Sequence, residues 1–176
     1  NHTHTTKLGL VMVLLLVVTA GLAFGSQTFN VVMTADNVYA IYLGDPVSAS
    51  TLLGNATNLT AGDIWVPELY SLTVPDISYI YIAAWSDDII KQGLLADFTN
   101  LTIGGTVLSG DPIWEVTATG LNLGNLDPPP TLADLTTQIV LANAGSNPSG
   151  GWVIPTASSA TNGAGGIHWV TIAGID

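Results

Sequence analysis

Phe29, Val31 and Met33 alternate with polar or smaller neighbours, the period of a strand with one buried face. Ala35-Asp36-Asn37 breaks that alternation, because Asp and Asn bond their own backbone in turns. Val38, Ala40 and Tyr42 begin a second alternation, with Tyr39, Ile41 and Leu43 on its other face. Gly44-Asp45 closes it. Both faces of this second strand are apolar, so a covering layer is expected on each side. Tyr79 to Trp85 is the strongest strand pattern in the chain, again apolar on both faces.

The remaining pattern predicts further strands. Asp45 to Asp63 reads as a long loop or a weak edge strand. Leu69 to Val74 reads as a strand beside Pro67, which belongs at an edge because proline cannot donate to a ladder. A helical turn is expected around Lys91, then a strand to Phe98. Gly104-Gly105 inside Leu101–Leu108 is a hairpin signal. Ile113 to Thr119 and Ile167 to Ile172 are two more strands, and residues 146–166 are Gly/Ser/Asn/Ala-rich with Trp152-Val153-Ile154 as an island. One segment has a helical period. Thr131 with Asp134 three residues on forms a capping-box pattern, Leu132, Leu135 and Ile139 share a face, and Gly145 ends the run, which predicts a short helix near 131–143.

The N-terminal pattern is different again. Leu8 to Gly25 is 18 residues without a charge, preceded by Lys7. A signal peptide and a retained helix both fit it. As a helix it spans roughly 27 Å, close to a bilayer core. The uninterrupted run and the lone preceding lysine lead to the expectation of a retained membrane or filament-core helix with the N-terminus on the cytoplasmic side. Residues 1–25 are then tail and anchor, and residues 26–176 an extracytoplasmic domain.

Composition narrows the function classes. Among 176 residues there are 13 acids and two bases, a formal charge of −11. With no arginine and two lysines there is nothing to neutralise phosphates, which argues against nucleic acid as a partner. Charged residues make up only 9% and apolar residues 48%, a balance that suits an exported protein held against neighbours. The absence of cysteine removes disulfides and thiol chemistry.

Two resemblances rest on these stretches. The pair TADNVYAIYLGD and YIYIAAWSDD resembles a β-sandwich of exported PEP-CTERM-like, surface-anchored bacterial proteins, over about residues 29–120. That resemblance implies a surface location and no particular activity. The chain departs from the class in having Val66-Pro67-Glu68 internal, followed by Leu69, rather than a C-terminal sorting motif. The apolar stretch feeding a β domain is similar to the plan of type IV and archaeal pilins, over about residues 8–34. The glutamate near the start of the bacterial pilin helix has no counterpart, since no acid precedes Asp36.

Several residue groups are candidates for chemistry. Asp36, Asn37, Asp87 and Asp88 lie on two turns whose oxygens would suit calcium if the turns met; two solvated turns with bonds to their own backbone are the favoured account, and no other cofactor is expected. Glu68 and Glu115 are the only glutamates, and a carboxylate pair is the requirement for glycoside hydrolysis. His168 lies beside Trp169 without a nucleophile elbow, and His2 and His4 lack a third metal ligand. Trp65, Trp85, Trp114, Trp152 and Trp169 suit either core packing or stacking on sugar rings. Asn55, Asn58 and Asn100 sit in glycosylation acceptor patterns.

The expected fold is mainly β, an antiparallel β-sandwich of jelly-roll-like kind preceded by a single N-terminal hydrophobic helix. The expected function is a non-catalytic structural or interaction subunit of an extracytoplasmic or membrane-embedded assembly, a surface filament or an accessory subunit of a membrane complex. Other protein subunits would be its partners, with Tyr39, Ile41, Leu43, Ile80 and Ile82 as the interface. The competing account of those residues is cover by the chain's own segment from Leu132 onward. The alternative function is a membrane-anchored, lectin-like module that binds glycans.

Overall fold

The computed structural model describes residues 12–17, 25–57, 66–76, 78–85, 93–124, 127–161 and 168–171. These form two antiparallel sheets and one helix. Sheet A has the order β4-β3-β6-β1-β9, from Ser48–Asn55, Val38–Asp45, Tyr79–Trp85, Met12–Val17 and Trp114–Ala118. Sheet B has the order β10-β11-β7-β2-β5, from Thr156–Thr161, His168–Thr171, Gly93–Asn100, Ser26–Asp36 and Glu68–Pro75. A short strand β8, Thr106–Leu108, also pairs with β7. The helix α1 is Leu132–Asn143.

The two strands that open the pattern do not pair with each other. β2 lies between β5 and β7, whereas β3 lies between β4 and β6. Asn37 is therefore an arch between the sheets, and its N–H donates to the Trp85 carbonyl at 3.1 Å. The sheets face one another through aromatic contacts. Phe98 of β7 meets Trp114 of β9 edge-on at 5.5 Å, and Tyr70 of β5 meets Tyr39 of β3 at 6.1 Å. Phe29, Val31, Met33, Leu72, Val74, Leu94 and Ala96 complete the sandwich-like interior from sheet B.

The N-terminal apolar run corrects an expectation. Residues 12–17 are a strand, not part of a helix: Leu14 stands opposite Ile82 of β6 on one side and Val116 of β9 on the other. The rest of the expected 8–25 helix lies outside the described residues. The physical reason is that MVLLLV has no period. An all-apolar run serves a central strand covered on both faces as well as it serves a helix. Among the described residues no helix is long and apolar enough to cross a membrane.

The helix near 131–143 forms where the capping pattern places it. Thr131 Oγ1 accepts from the Asp134 N–H at 3.2 Å, and Asp134 Oδ2 accepts from the Thr131 N–H at 3.3 Å, which closes the box. Gly145 follows with φ of 65°, a conformation that costs glycine least. The long connection after Pro46 resolves as the edge strand β4, and Pro67 stands just before the edge strand β5. Residues 156–161, within the Gly/Ser/Asn/Ala-rich stretch, form β10 against β11.

Candidate functional site

Tyr39, Ile41 and Leu43 face sheet B, in register with Ala84, Ile82 and Ile80 of β6. Tyr39, Ile41, Ile80 and Ile82 are buried within this chain, and Leu43 packs against the same core. The five residues expected to form an interface are thus the interior between the sheets, which corrects that expectation. Each buried large side chain contributes roughly 1.5–3 kcal/mol, and a two-layer packing collects it inside one chain.

The other face of β3 and β6 is covered too. Tyr42, Tyr81 and Trp85 point away from sheet B and meet the segment between β9 and β10. The Tyr42 hydroxyl donates to the Pro130 carbonyl at 2.7 Å, and Trp85 Nε1 donates to the Gly124 carbonyl at 3.2 Å. Tyr81 packs on Trp152 at 6.2 Å, and Trp152 Nε1 donates to Asn143 Oδ1 of α1 at 2.7 Å. Thr136 Oγ1 accepts from the Ala49 N–H at 3.1 Å, which ties α1 to β4. Gly44 lies under this cover; a Cβ there would sit 2.2 Å from the Ser48 carbonyl oxygen and 2.9 Å from the Tyr81 ring. Burial raises Tyr42 and Tyr81 well above the usual tyrosine range, so both stay neutral donors.

Below the Asn147–Gly151 turn, Asn147 donates to Thr117, to the Ala118 carbonyl at 3.0 Å and to Ser149 at 3.0 Å. Val153 adds a bridge to Val116 on the outer edge of β9. These bonds fasten the covering segment to sheet A.

Glu68 joins a cluster of hydroxyls between β3, β4 and β5. Its Oε2 accepts from the Tyr70 hydroxyl at 2.5 Å, and the Tyr39 hydroxyl lies 2.9 Å from that of Tyr70. Its Oε1 accepts from the Thr57 N–H at 2.8 Å and the Thr57 hydroxyl at 2.9 Å. Tyr39 is raised far above its ordinary range by burial first and by Tyr70 and Glu68 second; Tyr70 is raised by burial and Glu68. This arrangement clamps β3, the end of β4 and β5 together. Glu115 is exposed on β9 and turned from the sheet interior, whereas Glu68 faces inward beside β3. The two carboxylates are not paired across a cleft, so the glycosidase geometry is not formed.

The other candidates fare as follows. Asp36 is buried at the arch, while Asp87 and Asp88 lie outside the described residues, as do His2, His4, Asn58 and Trp65. No group of three or more His, Asp or Glu is placed to hold a metal ion among the described residues. Asn100 is buried, and its Nδ2, the atom a glycan would occupy, donates to Gln27 at 2.6 Å; this corrects its glycosylation candidacy. Asn55 is half-buried at the end of β4. Trp85 and Trp114 are buried and unavailable for sugar stacking.

A feature with no side-chain signature is the outer edge of β5, which no strand pairs with among the described residues. The Asp76 N–H donates to the Gly25 carbonyl, and the Leu101 N–H to the Thr28 carbonyl. With the β2–β5 register, these bonds direct the backbone of Glu68, Tyr70, Leu72 and Val74 toward β2. Leu69, Ser71 and Thr73 therefore turn their N–H and C=O groups outward, and these groups have no partner among the described residues. The sequence signal for this edge is Pro67, but proline marks an edge without saying whether it stays open.

No protein-family model, no curated protein and no solved structure matches this chain. The two resemblances rest on the residues quoted for them.

Proposed function

We propose that this protein is a non-catalytic structural subunit of an extracytoplasmic assembly, a surface filament or an accessory subunit of a membrane complex. The observation that carries the reading is the Glu68 clamp. Both carboxylate oxygens are engaged by Tyr70 and Thr57, so this acid holds strands together. The composition supports the location: nine in a hundred residues are charged, with a net charge of −11 and no arginine or cysteine. The glycan-binding alternative has lost Trp85 and Trp114 to the core.

Chemical cross-linking of the native protein in intact cells, followed by fractionation, tests this. The expected result is a ladder of higher-mass species in the envelope or surface fraction. Recovery of the protein as a monomer in the cytoplasmic fraction would overturn the reading.

A further inference from the structure

We propose that the outer edge of β5 is a docking edge for a second copy of this chain, joined by antiparallel β5–β5 pairing about a two-fold axis at Ser71. The proposal deepens the subunit reading above and rests on it.

Natural edge strands are blunted by bulges, inward-pointing charges, lysines or a covering element. Among the described residues β5 has no bulge, lysine or covering element, and its one inward-pointing charge, Glu68, stands at its first residue. Its pairing to β2 runs from Glu68 to Pro75 without a register shift. Its outward side chains are Leu69, Ser71 and Thr73, uncharged and exposed, Leu69 at 73%. The facing edge strand of the other sheet, β4, is by contrast tied to α1 through Thr136 at Ala49.

An edge of outward N–H and C=O groups at strand spacing asks for another strand. β5 itself fits in one register. With Ser71 opposite Ser71 of the second copy, Leu69 stands opposite Thr73, and all three residues are those whose backbone groups point outward. Each such pair exchanges both of its backbone bonds. The same register sets Pro67 opposite Pro75. Neither has an N–H, so the ladder is bounded at both ends by the residues that cannot extend it. A shift by two residues in either direction sets a proline against a residue that needs its N–H, or leaves outward groups unpaired. Charge also permits this register. The one carboxylate on β5, Glu68, is turned inward to Tyr70 and Thr57 and would lie opposite Val74, so no two acids face each other. The pairing is isologous and closes as a dimer. The net charge of −11 on each copy opposes it at long range, so association strengthens as salt shortens the screening length.

The test uses the full chain and its lack of cysteine. Ser71→Cys places one thiol per copy at the two-fold axis, where paired Cα atoms stand about 5.5 Å apart, within reach of a disulfide. Thr73→Cys places its thiol one strand-width away but displaced four residues from its mate, roughly 13 Å, beyond that reach. Under mild oxidation, Ser71→Cys is expected to give a covalent dimer at least tenfold faster than Thr73→Cys. Light scattering of the unmodified chain is expected to show a dimer fraction that rises with salt. Ser71→Pro, which removes an outward N–H only, is expected to abolish the dimer while circular dichroism and melting stay unchanged. Equal cross-linking rates for the two cysteine variants would overturn the proposal. So would larger assemblies that persist in Ser71→Pro, which would leave the subunit reading standing and the β5 edge excluded.

Discussion

The two sheets are built from similar strands but end with different surroundings. Sheet A is buried on both faces at β3 and β6, where even Ala40, Tyr42, Tyr81 and Ala83 on the outer side are covered. Sheet B is buried on its inner face, while among the described residues its outer face is covered only in part, at Thr34 and Leu95. Its outer side carries Thr28, Asn30, Val32, Ser71, Thr73 and Thr99, exposed or half-exposed, with hydroxyl pairs such as Thr28–Thr73 at 3.1 Å and Thr99–Thr106 at 3.2 Å. The sequence anticipates the difference: β3 and β6 read YAIY and YIYIAAW, β2 and β5 read TFNVVMT and LYSLTV. Apolar residues on both faces of a strand signal a second covering layer. They do not say whether that layer comes from the same chain, and here it does.

The comparison breaks most sharply at β1 and β3. Ile41→Lys puts a charge where sheet A meets sheet B, and the cost is expected to reach about 4 kcal/mol or more, enough to unfold the domain. Loss of the cooperative thermal transition checks this. Had Ile41 been an interface residue, the variant would stay folded and merely dissociate. Removing residues 1–25 takes β1 from between β6 and β9 and is expected to abolish folding as well. A folded fragment 26–176 would show that sheet A closes without β1.

Next in size is the cover. Trp85→Ala empties a fully packed site and cuts the bond to Gly124, with an expected loss of about 3–5 kcal/mol in denaturant unfolding. Proteolysis is expected to nick the covering segment first, between Leu121 and Pro130, because its anchor is gone. Uniform cutting would indicate that the segment is held mainly by α1.

Tyrosine titration separates the two sides of β3. Tyr39 and Tyr70 belong to the clamp between the sheets, Tyr42 and Tyr81 to the cover, and burial raises all four. A group whose folded value is raised contributes its full stabilisation below its unfolded value, about 10 for tyrosine, and loses it as the pH climbs toward the folded value. The denaturant midpoint is therefore expected to fall above about pH 10, and Tyr42→Phe to flatten that fall. A midpoint independent of alkaline pH would mean that the hydroxyls titrate freely in the fold.

The smallest effects belong to the open face. Leu69→Ser and Thr99→Val are expected to move stability by no more than about 0.5 kcal/mol, because both positions face solvent on sheet B. A larger loss for Leu69 in the monomer would place a covering element there.

Most strands were legible because a period of two survives wherever one face of a strand differs from the other, as at Phe29–Met33 and Leu69–Val74. The helix was legible because Thr131, Asp134 and Gly145 act locally. β1 is not legible as a strand, because six apolar residues carry no period. β10 carries no strand signal in the sequence, because TASSAT lacks the bulky residues that mark a strand. The clamp was half legible. Glu68 stood out as a rare glutamate, but Thr57 and Tyr39 reach it only after β3, β4 and β5 are brought together. Asn100 fits an acceptor pattern in sequence, yet its amide is consumed by Gln27, 73 residues away.

Local chemistry in the sequence by itself determined the strand-rich class, the turns at Asn37 and Pro75–Asp76, the capped helix and the acidic, cation-poor surface. Each depends on side-chain type, on alternation, or on bonds between residues three or four apart. Only the tertiary structure decided that β2 and β3 part into opposite sheets, that Met12–Val17 stands between β6 and β9, and that the chain covers its own second apolar face while no described strand pairs with the outer edge of β5. Those outcomes depend on which strand edges meet, and an edge is a row of backbone groups that is nearly the same for every sequence.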